Sequence, residues 1–534
     1  MGPAGTSGKP VYQAKPGPPD RHRRGLAGGF TPGLGYFHPC SRVWTRTDSS
    51  RLMEALAAEL RPLLGKHGFL LRPEHTLPYE CDGSTAYRSA PQAVALPRST
   101  AEVAQVVRAC AAAGVPFTAR GAGTGLSGGA TPIEGGVVIS LAGMNRVLEI
   151  DTRERVARCQ TGVVNLEISR AAAPFGLFFA PDPSSQSACT LGGNIAENSG
   201  GPHCFKLGAT TSHILSVTVV LDDGEVVVLS EDDAGYDLLG LFVGSEGTLG
   251  IATEATVRLL PVPETVETLL APFAGLVPAC EAVSRIVAAG TVPVAMEMLD
   301  AATIEVVEAG IGAGYPKGAG AVLLLELDGA KQAVARQRAD VDRILQECGA
   351  LEIRVARDAA ERELLWRGRK YAFGAMGRIS TDLYVQDGVV PRSALPEAIA
   401  EVEEIGKRHR LRVANVFHAG DGNLHPCISY DGRDPDEKAR VLAASHELLT
   451  MCVRLGGVLS GEHGVGIEKR DSLDLLFGED DLETMRRVRD CWNRQGLLNP
   501  GKILPVRAGC GEPRASLPEN TMPGRVAAIP GAWI

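Results

Sequence analysis

The sequence has no run of 18 or more uninterrupted apolar residues, and its N-terminus lacks the apolar stretch of a secretory signal. A bilayer-spanning helix needs about 20 mostly apolar residues, so we expect no segment that crosses a membrane. The 12 cysteines are scattered between Cys40 and Cys510 and never form a C-x-x-C pair. This pattern excludes a disulfide framework and an iron–sulfur ligand set, and it favours the reducing cytoplasm.

Basic residues are also fewer than acidic residues. The 54 Lys and Arg residues are outnumbered by 63 Asp and Glu residues, which gives a formal net charge of −9. A nucleic acid or an anionic membrane surface is therefore not expected as the main partner. The 534 residues exceed what one hydrophobic core usually organises, so we expect about two to four domains rather than one small binding module.

Apolar residues are scarce at both ends of the chain, where Gly and Pro are frequent, and we predict disordered tails over 1–48 and 509–534. Between the tails, strand and helix patterns alternate, which predicts an α+β fold. Residues 49–265 form a first domain with a leading helix over 51–64, and residues 266–455 form a second. The first domain has predicted strands at 93–96, 115–119, 136–141, 147–151, 156–160, 214–221 and 225–229. The second has predicted helices at 279–289, 331–348 and 392–409 and strands at 321–326, 383–386 and 412–417.

Turn and cap residues support several of these boundaries. Ser99 and Glu102 are spaced as a capping box, which satisfies the free amides at a helix start. Gly114 stands where the same helix needs a left-handed C-terminal residue. The triplet 222–224 (DDG) predicts a tight turn between two strands.

Three glycine-rich segments stand out in the first domain: RGAGTGLSGG at 120–129, TLGGNIAENSGG at 190–201 and GSEGTLGI at 244–251. Small residues allow backbone amides to approach an anion closely, so the first segment is typical of a diphosphate cradle. It lacks the P-loop lysine and opens no long apolar helix, which argues against nucleotide hydrolysis and a Rossmann fold. Flexible linkers are the alternative, but one long ligand explains all three segments more simply.

Histidines and a carboxylate cluster in the second half of the chain. A strand ends at His418, the residues Asp421 and Gly422 predict a turn, and His425 begins the return strand. Glu462 and His463 lie in a glycine-flanked segment, SGEHG. Two imidazoles and one carboxylate suit a divalent metal such as zinc or manganese, although histidines near turns are more often solvated or structural.

In this order, RGAGTGLSGGA, PDPSSQSACTLGGNIAENSGG, GSEGTLGI, NVFHAGDGNLHP, SGEHGVGIEK and NPGKILP resemble the FAD-linked oxidases of the vanillyl-alcohol-oxidase type. Within that family the chain is most similar to the branch that oxidises 2-hydroxy acids: FAD subunits of bacterial glycolate oxidases, D-lactate dehydrogenases and D-2-hydroxyglutarate dehydrogenases. The resemblance covers roughly residues 50–508. It implies a two-part FAD-binding domain, a C-terminal α+β substrate cap and a segment at 456–508 that returns to the FAD domain.

The resemblance also implies the site residues. His418, His425 and Glu462 match the metal ligands, and His463 matches the residue that accepts the substrate proton. Arg369 in the W-x-x-R pattern matches the clamp for the substrate carboxylate, with Arg378 as second choice and a solvated basic helix turn as the alternative. The implied FAD contacts are Arg120, Gly121, Ala122, Gly123, Thr124, Gly125, Ser127, Gly128, Pro181, Asp182, Gly192, Gly193, Asn194, Asn198, Gly247, Ile251 and Asn499. Because no histidine lies in 120–130, we predict noncovalent FAD.

The expected reaction is oxidation of a small (D)-2-hydroxy acid to the 2-oxo acid, with hydride transfer to the flavin and metal-assisted removal of the hydroxyl proton. No Lys or Arg occurs in 379–391, where the hydroxyglutarate relatives are expected to carry a lysine, so glycolate or D-lactate is favoured. A second flavin subunit and an iron–sulfur subunit are expected partners, and they would place the chain peripherally at the inner membrane. A stand-alone dehydrogenase, a non-catalytic flavin subunit and a non-redox transferase of the alkyl-dihydroxyacetone-phosphate-synthase kind are the alternatives.

Overall fold

A computed structural model describes residues 46–505 of the chain. The first helix, α1 (Arg46–Leu64), starts five residues before the predicted boundary, so its first turn falls within the segment expected to be a tail. The rest of the two predicted tails, 1–45 and 509–534, lies outside the described residues. Leu56 and Leu60 of α1 are buried against the first core, as the helical spacing predicts.

The N-terminal part forms a small mixed sheet. It contains helices α2 (Pro73–Thr76) and α3 (Thr100–Ala113) and strands β1 (Phe69–Leu70), β2 (Ala93–Ala95), β3 (Phe117–Arg120) and β4 (Val137–Ser140). The strand order is β1-β2-β4-β3, and β4 runs parallel to both neighbours. The buried face of α3 packs in the same core as the sheet. The first glycine-rich loop follows directly after the carboxyl end of β3.

The two ends of α3 follow the sequence prediction with one difference. Ser99 Oγ accepts a hydrogen bond from the Glu102 amide at 3.2 Å, and Gly114 ends the helix with φ of +65°. The Glu102 carboxylate, however, accepts from the amide of Arg98 at 2.8 Å rather than from Ser99. The capping hydroxyl is confirmed, and the carboxylate satisfies an amide one residue further back.

The next part is an antiparallel sheet of five strands. Its elements are β5 (Val147–Asp151), β6 (Val156–Gln160), α4 (Asn165–Ala172), β7 (Leu177–Phe178), α5 (Leu191–Glu197), α6 (Cys204–Leu207), β8 (Ile214–Val220), β9 (Val226–Ser230), α7 (Leu238–Phe242), β10 (Ile251–Arg258) and β11 (Leu260–Pro261). The sheet order is β5-β6-β10-β8-β9, and β7 pairs separately with β11. The predicted tight turn joins β8 to β9 with Gly224 at φ of +80°, which confirms it.

The C-terminal half is built on a sheet of seven strands that is covered on both faces. Its elements are β12 (Thr265–Phe273), α8 (Leu276–Ala288), β13 (Ala295–Asp300), α9 (Ala301–Gly310), β14 (Ala321–Gly329), α10 (Lys331–Glu347), β15 (Arg354–Val355), α11 (Ala359–Lys370), α12 (Ala372–Met376), β16 (Asp382–Val385), α13 (Leu395–His409), β17 (Arg412–His418), β18 (Pro426–Tyr430), α14 (Pro435–Arg454) and α15 (Glu479–Trp492). The order is β15-β12-β14-β13-β17-β18-β16, with antiparallel neighbours.

Successive residues of β14 enter different cores. Leu323 and Leu325 pack with α8, α10 and α13, while Val322 and Leu324 pack with α9 and α11. Both faces of the strand are therefore dry, which explains why it has a continuous apolar run instead of alternation.

After α15 the chain reaches the first sheet. The amide of Phe117 in β3 donates to the carbonyl of Leu497 at 2.9 Å, and the amide of Asn499 donates to the Phe117 carbonyl at 2.7 Å. Residues 497–499 thus lie alongside the first residue of β3 and run parallel to the strand.

Candidate active site

A cavity of about 480 Å³ lies where the glycine-rich loops meet the C-terminal half. Its wall is formed on one side by residues of 119–130, 183–199 and 245–252. On the other side it is formed by six residues of the C-terminal half: Lys370, Phe373, Leu383, Val385, Glu462 and His463. One cavity therefore joins the predicted cofactor loops to the predicted catalytic cluster.

The first two glycine-rich loops touch each other. A Cβ at Gly121 would collide with the hydroxyl of Thr190, and a Cβ at Gly123, where φ is +70°, would collide with the guanidinium of Arg120. Thr190 Oγ1 accepts a hydrogen bond from the Gly193 amide at 3.3 Å. Glycine is favoured at 121 because Thr190 occupies the space of a side chain, and at 123 because the backbone takes a left-handed φ.

The third loop is bonded to α5, which contains part of the second. The amide of Gly244 donates to Ile195 and the amide of Glu246 donates to Ala196, each at 2.8 Å. Gly247 takes φ of +69° on the cavity wall. The three segments that the sequence assigned to one ligand thus line one cavity.

The structure divides the predicted FAD contacts into two groups. Those on the cavity wall are Arg120, Gly121, Ala122, Gly123, Thr124, Gly125, Gly192, Gly193, Asn194, Gly247 and Ile251. Those behind the wall are Ser127, Gly128, Pro181, Asp182, Asn198 and Asn499.

Two of these six residues bond the first glycine-rich loop to other parts of the chain. The Ser127 carbonyl accepts from the amides of Ile467 and Glu468, and Asn499 Nδ2 donates to the carbonyls of Gly129 and Glu246.

The wall also presents polar atoms without partners. Asn194 Nδ2, Ser245 Oγ and Glu197 Oε2 are buried and have no hydrogen-bond partner among the described residues. Buried polar atoms are normally paired, so these three groups fit a polar ligand held in the cavity. FAD, whose diphosphate and ring edges accept and donate hydrogen bonds, meets that requirement.

Two histidines and Glu462 form a compact set of donors. Glu462 Oε1 lies 3.0 Å from His418 Nε2 and 3.5 Å from His425 Nε2. Gly422, at φ of +83°, makes the turn that brings the two imidazoles together, and their ring centroids are 5.0 Å apart. All three donor atoms lie within 4.8 Å of one another, as a single divalent ion requires.

Buried carboxylates orient these donors. Glu297 on β13 bonds His418 Nδ1 at 2.7 Å, which leaves His418 Nε2 to face Glu462. Asp387 accepts from the amides of residues 461–463 and from Ser460 Oγ, and it lies 3.5 Å from His425 Nε2. The Glu297–His418 pair is of the kind that fixes the ring orientation of a metal ligand, and Asp387 holds the backbone of the loop that carries Glu462, so the donor set fits a metal.

Electrostatics favour a charged Glu462 and a neutral His463. Burial opposes ionisation of Glu462, but His418, His425 and His463 outweigh it and lower its pKa to about 2. Burial lowers the pKa of His463 to about 4, although Asp387 acts in the opposite direction. His463 stacks on His425 with 4.9 Å between ring centroids, and its Nδ1 is buried without a partner among the described residues. The imidazole on the cavity wall is therefore neutral near pH 7.

The two basic residues that end α11 have different surroundings. Arg369 is fully buried behind the wall; its Nε donates to Glu297 at 2.6 Å, and its Nη2 lies 3.5 Å from His418 Nδ1. Lys370 is on the wall, and its Nζ is 3.3 Å from Asp182 Oδ2. Arg378 bonds the carbonyl of Ala309 at the end of α9. Sequence reasoning selected Arg369 from the basic segment that ends with Lys370, and it missed Glu297 and Asp387; for Glu297, a charged residue inside the apolar strand AMEMLD was an available signal.

Among residues 46–505, no helix combines the length and the apolar character that spanning a bilayer requires.

Comparisons with known proteins agree with this geometry. Residues 91–230 match the FAD binding domain, and residues 262–503 match the C-terminal domain of FAD linked oxidases. The chain is 47% identical over 442 residues to glycolate oxidase subunit GlcD of Escherichia coli K12, covering 82% of this chain and 89% of the relative. It is 39% identical over 432 residues to glycolate oxidase subunit GlcD of Bacillus subtilis, covering 80% and 92%. It is 35% identical over 431 residues to the D-lactate dehydrogenase of Anaerostipes hadrus, covering 78% and 90%.

Solved structures share the fold at low sequence identity. p-Cresol methylhydroxylase superposes with a TM-score of 0.73 at 17% identity, covering 85% of this chain and 97% of that one. Alkyldihydroxyacetonephosphate synthase superposes with a TM-score of 0.68 at 20% identity, covering 84% and 85%. The expected α+β architecture, with an FAD-binding domain and a C-terminal oxidase domain, is confirmed.

Proposed function

Because this chain belongs to the FAD-linked oxidases of the glycolate oxidase and D-lactate dehydrogenase type, we propose that it oxidises glycolate or D-lactate to the corresponding 2-oxo acid. The observation that carries the proposal is the shared cavity, in which His463 and Glu462 face the glycine-rich loops. A non-catalytic flavin subunit would not need this cluster of imidazoles and carboxylates.

The first two loops would hold the cofactor. When bound, FAD supplies a flavin ring that accepts a hydride at N5. Residues 120–125 and 192–194 offer their backbone to its diphosphate, and Asn194 Nδ2 is an unpaired donor. We propose noncovalent binding. The wall also contains Cys189, but burial raises the pKa of its thiol to about 11, which leaves it a poor nucleophile.

His418, His425 and Glu462 would hold a divalent ion, which we propose to be zinc, and such an ion would supply polarisation of the substrate hydroxyl. Glu297 keeps the His418 imidazole oriented, and Asp387 holds the backbone of the loop that carries Glu462. A ring nitrogen of His463, which is neutral near pH 7, accepts the hydroxyl proton. Phe373, Leu383 and Val385 cover the same end of the cavity with apolar surface and exclude water.

The acid's carboxylate needs a cation, and the end of α11 provides the candidates. Arg369, the expected clamp, keeps Nη1 without a partner among the described residues, beside His418 and Glu297. Residues 379–391 contain no Lys or Arg, which supports a small monocarboxylate over a hydroxyglutarate-like dicarboxylate.

Electrons must leave the reduced cofactor, and the sequence contains no C-x-x-C iron–sulfur pattern. Two of the relatives are named as subunits of glycolate oxidase. We therefore propose that a second flavin subunit and an iron–sulfur subunit receive the electrons, at the periphery of the inner membrane. A stand-alone dehydrogenase, as in the D-lactate dehydrogenase relatives, is the second candidate.

Flavin reduction in the absence of oxygen tests the activity. Adding glycolate or D-lactate to the purified holoenzyme should bleach flavin absorbance at about 450 nm, as expected for hydride transfer to the ring. His463→Ala should slow the bleaching by about 10²- to 10⁴-fold, the usual contribution of a general base. His67→Ala, at an exposed histidine, is the matched control and should not slow it. If no 2-hydroxy acid bleaches the metal-supplemented wild-type protein, the proposed activity is wrong.

A further inference from the structure

The loop that carries His463 is held from two sides. On one side Asp387, which follows β16, accepts hydrogen bonds from the amides of residues 461–463. On the other side, the amides of residues 465–468 donate to two of the glycine-rich segments. We call residues 460–468 the His463 loop. Its position therefore depends both on the C-terminal half and on the segments that form the cofactor side of the cavity.

Glu246, in the third glycine-rich segment, supplies the side chain that bonds this loop. Its Oε1 accepts from the Val465 amide at 2.7 Å, and its Oε2 accepts from the Gly466 amide at 2.6 Å. The Ser127 carbonyl in the first segment accepts from the next two amides, at 2.8 and 3.1 Å. A carboxylate has acceptors at both oxygens, so Glu246 pairs with two adjacent N–H groups at once.

The contact is close enough to favour glycine in the loop. Gly464 has φ of +81°, and a Cβ there would lie 2.8 Å from Glu246 Oε1. Gly466 has φ of +52°, and a Cβ there would lie 2.1 Å from the Ser127 carbonyl oxygen. Both the left-handed backbone and the crowding exclude larger residues. These glycines thus let the His463 loop lie directly against the cofactor segments.

The backbone of Glu246 is itself fixed to the cavity wall. Its amide donates to the Ala196 carbonyl at 2.8 Å, and its carbonyl accepts from Asn499 Nδ2 at 2.8 Å. Its φ is +50°, a left-handed conformation that is costly for a residue with a side chain and persists only where the surroundings hold it. Glu246 lines the cavity, whereas residues 464–468 do not. It therefore links a wall that a cofactor would touch to a backbone that the cofactor would not touch.

The closing motif NPGKILP supports the same contact. Asn499 Nδ2 also donates to the Gly129 carbonyl at 3.2 Å, so it joins the first and third segments. The Ile503 amide donates to the Gly466 carbonyl at 2.9 Å. Gly466 is therefore in contact with the first segment, the third segment and the closing motif.

We propose that Glu246 is a positioning residue that couples occupation of the cofactor cavity to the placement of His463. A ligand that orders the wall segments also orders the Glu246 carboxylate, and the carboxylate fixes the backbone that follows His463. The inference rests on the proposed function for the role of His463, and it adds the residue that joins cofactor binding to that role. No bond is made or broken at Glu246, and no proton is transferred there.

Hydrogen exchange measured by mass spectrometry tests the coupling without turnover. The full chain is compared with and without saturating FAD, and exchange is followed at 465–468 and in α10, which does not line the cavity. Bound FAD should slow exchange at 465–468 by at least about fivefold, the usual lower range of coupling between two sites, and should leave α10 unchanged. Glu462 and His463 are left out of the comparison because they line the cavity themselves.

Glu246→Gln should lose this coupling. Gln has one acceptor oxygen, and its NH2 group would face an amide N–H, so at most one of the two bonds survives. The slowing by FAD at 465–468 should therefore fall below about twofold. Flavin reduction by saturating glycolate or D-lactate should slow by about 10²-fold, as expected for a misplaced general base, while the Kd of pyruvate for the oxidised enzyme should change less than about threefold. A role in stability alone would not separate the rate from the Kd.

Glu254→Gln is the matched control. Glu254 lies on β10, directly after the same segment, and its carboxylate pairs with Arg158 at 3.4 Å away from the His463 loop. The control should leave exchange and rate unchanged. Glu246→Asp keeps both acceptor oxygens on a side chain that is one methylene shorter, so its slowing by FAD should lie between those of wild type and Glu246→Gln. If Glu246→Gln does not bind FAD, the wild-type protein and Glu246→Asp decide.

The proposal is overturned if FAD leaves exchange at 465–468 unchanged in the wild-type protein. It is also overturned if Glu246→Gln retains the slowing by FAD, or if it changes the rate of flavin reduction and the Kd of pyruvate by the same factor. Failure of the proposed function is distinct, because it shows as absence of flavin bleaching with every 2-hydroxy acid. In that case the exchange measurements still decide whether Glu246 couples the cavity to the His463 loop.

Discussion

Glu297 lies in the middle of β13, and its two carboxylate oxygens bond two different side chains. Oε1 is 2.7 Å from His418 Nδ1, and Oε2 accepts from Arg369 Nε at 2.6 Å. Burial alone would raise the pKa of Glu297, but the Arg369 guanidinium and His418 outweigh it, so the pKa lies below its usual value. An ionised carboxylate at this position keeps the proton on His418 Nδ1 and leaves Nε2 available to a metal.

Glu297→Gln should therefore weaken metal binding. Loss of a carboxylate that orients a ligand imidazole typically lowers metal affinity about 10- to 100-fold. It also leaves the buried Arg369 without its counter-ion, which should lower the free energy of unfolding by about 3–5 kcal/mol. Titration of the metal-free protein with zinc and a denaturant melt measure the two effects.

Glu305→Gln is the control for that substitution because it removes an exposed carboxylate from the adjacent α9. It should change neither quantity by a measurable amount. Zinc affinity that is equal in wild type and Glu297→Gln would show that Glu297 does not support the metal site.

The sequence indicated some residues of this site and missed others for a physical reason. His418, His425, Glu462 and His463 stand in glycine-punctuated turns, where local signals are strong. Lys370 and Arg369 are adjacent on one helix, and only the packing of α11 decides which faces the cavity. Sequence patterns report local geometry and cannot report that choice.

At the scale of elements, the β17–β18 hairpin determines whether the two imidazoles meet. Gly422 in its turn has φ of +83°, and a Cβ there would collide with the carbonyl oxygen of Val390. The amide of Val390 in turn donates to the Gly422 carbonyl at 3.1 Å. The turn is therefore pressed against the chain that follows Asp387, the carboxylate that holds the Glu462 loop.

Gly422→Ala should open the hairpin and release the metal. Gly290→Ala is a matched control because Gly290 has φ of +84° but no atom within 4 Å of the position that an added Cβ would take. The control should lose only the cost of left-handed backbone strain, about 1–3 kcal/mol, and should keep its metal. Gly422→Ala should lose more stability and most of its metal, as measured by thermal melting and elemental analysis. Equal losses in the two variants would mean that backbone strain alone accounts for the effect.

Helices and strands were predicted correctly where a single segment has a clear local pattern of apolar residues. The helices at 331–348 and 392–409 and the strands at 321–326 and 412–417 were all confirmed within a few residues. Strand order was not predicted, because β17 pairs with β13, more than 100 residues earlier in the chain. That pairing places Glu297 directly opposite His418, and it depends on tertiary packing rather than on local periodicity.

At the scale of the whole molecule, a buried ionic cluster connects the FAD-binding part to the C-terminal sheet. His203 bonds Asp182 at 2.8 Å through Nδ1 and Glu326 of β14 at 3.2 Å through Nε2. Glu326 also accepts two hydrogen bonds from Arg362, and Lys370 approaches Asp182. One imidazole thus joins Asp182 to the sheet that carries Glu297 and His418.

This connection should make stability depend on pH with a definite sign. Burial lowers the pKa of His203, but Asp182 and Glu326 outweigh it and raise the pKa to about 10. The folded pKa lies above the unfolded value of about 6.5, so protonation of His203 stabilises the fold fully below about pH 6.5. This contribution declines as the pH rises and is lost above about pH 10.

His203→Gln lacks this contribution. The gap in free energy of unfolding between wild type and variant should therefore narrow by about 1–3 kcal/mol between about pH 6 and pH 9. Unfolding curves of both proteins at several pH values measure the gap, with the exposed His67→Gln as control. A gap that stays constant or widens with pH would mean that His203 is neutral in the folded protein and does not join the two parts by charge.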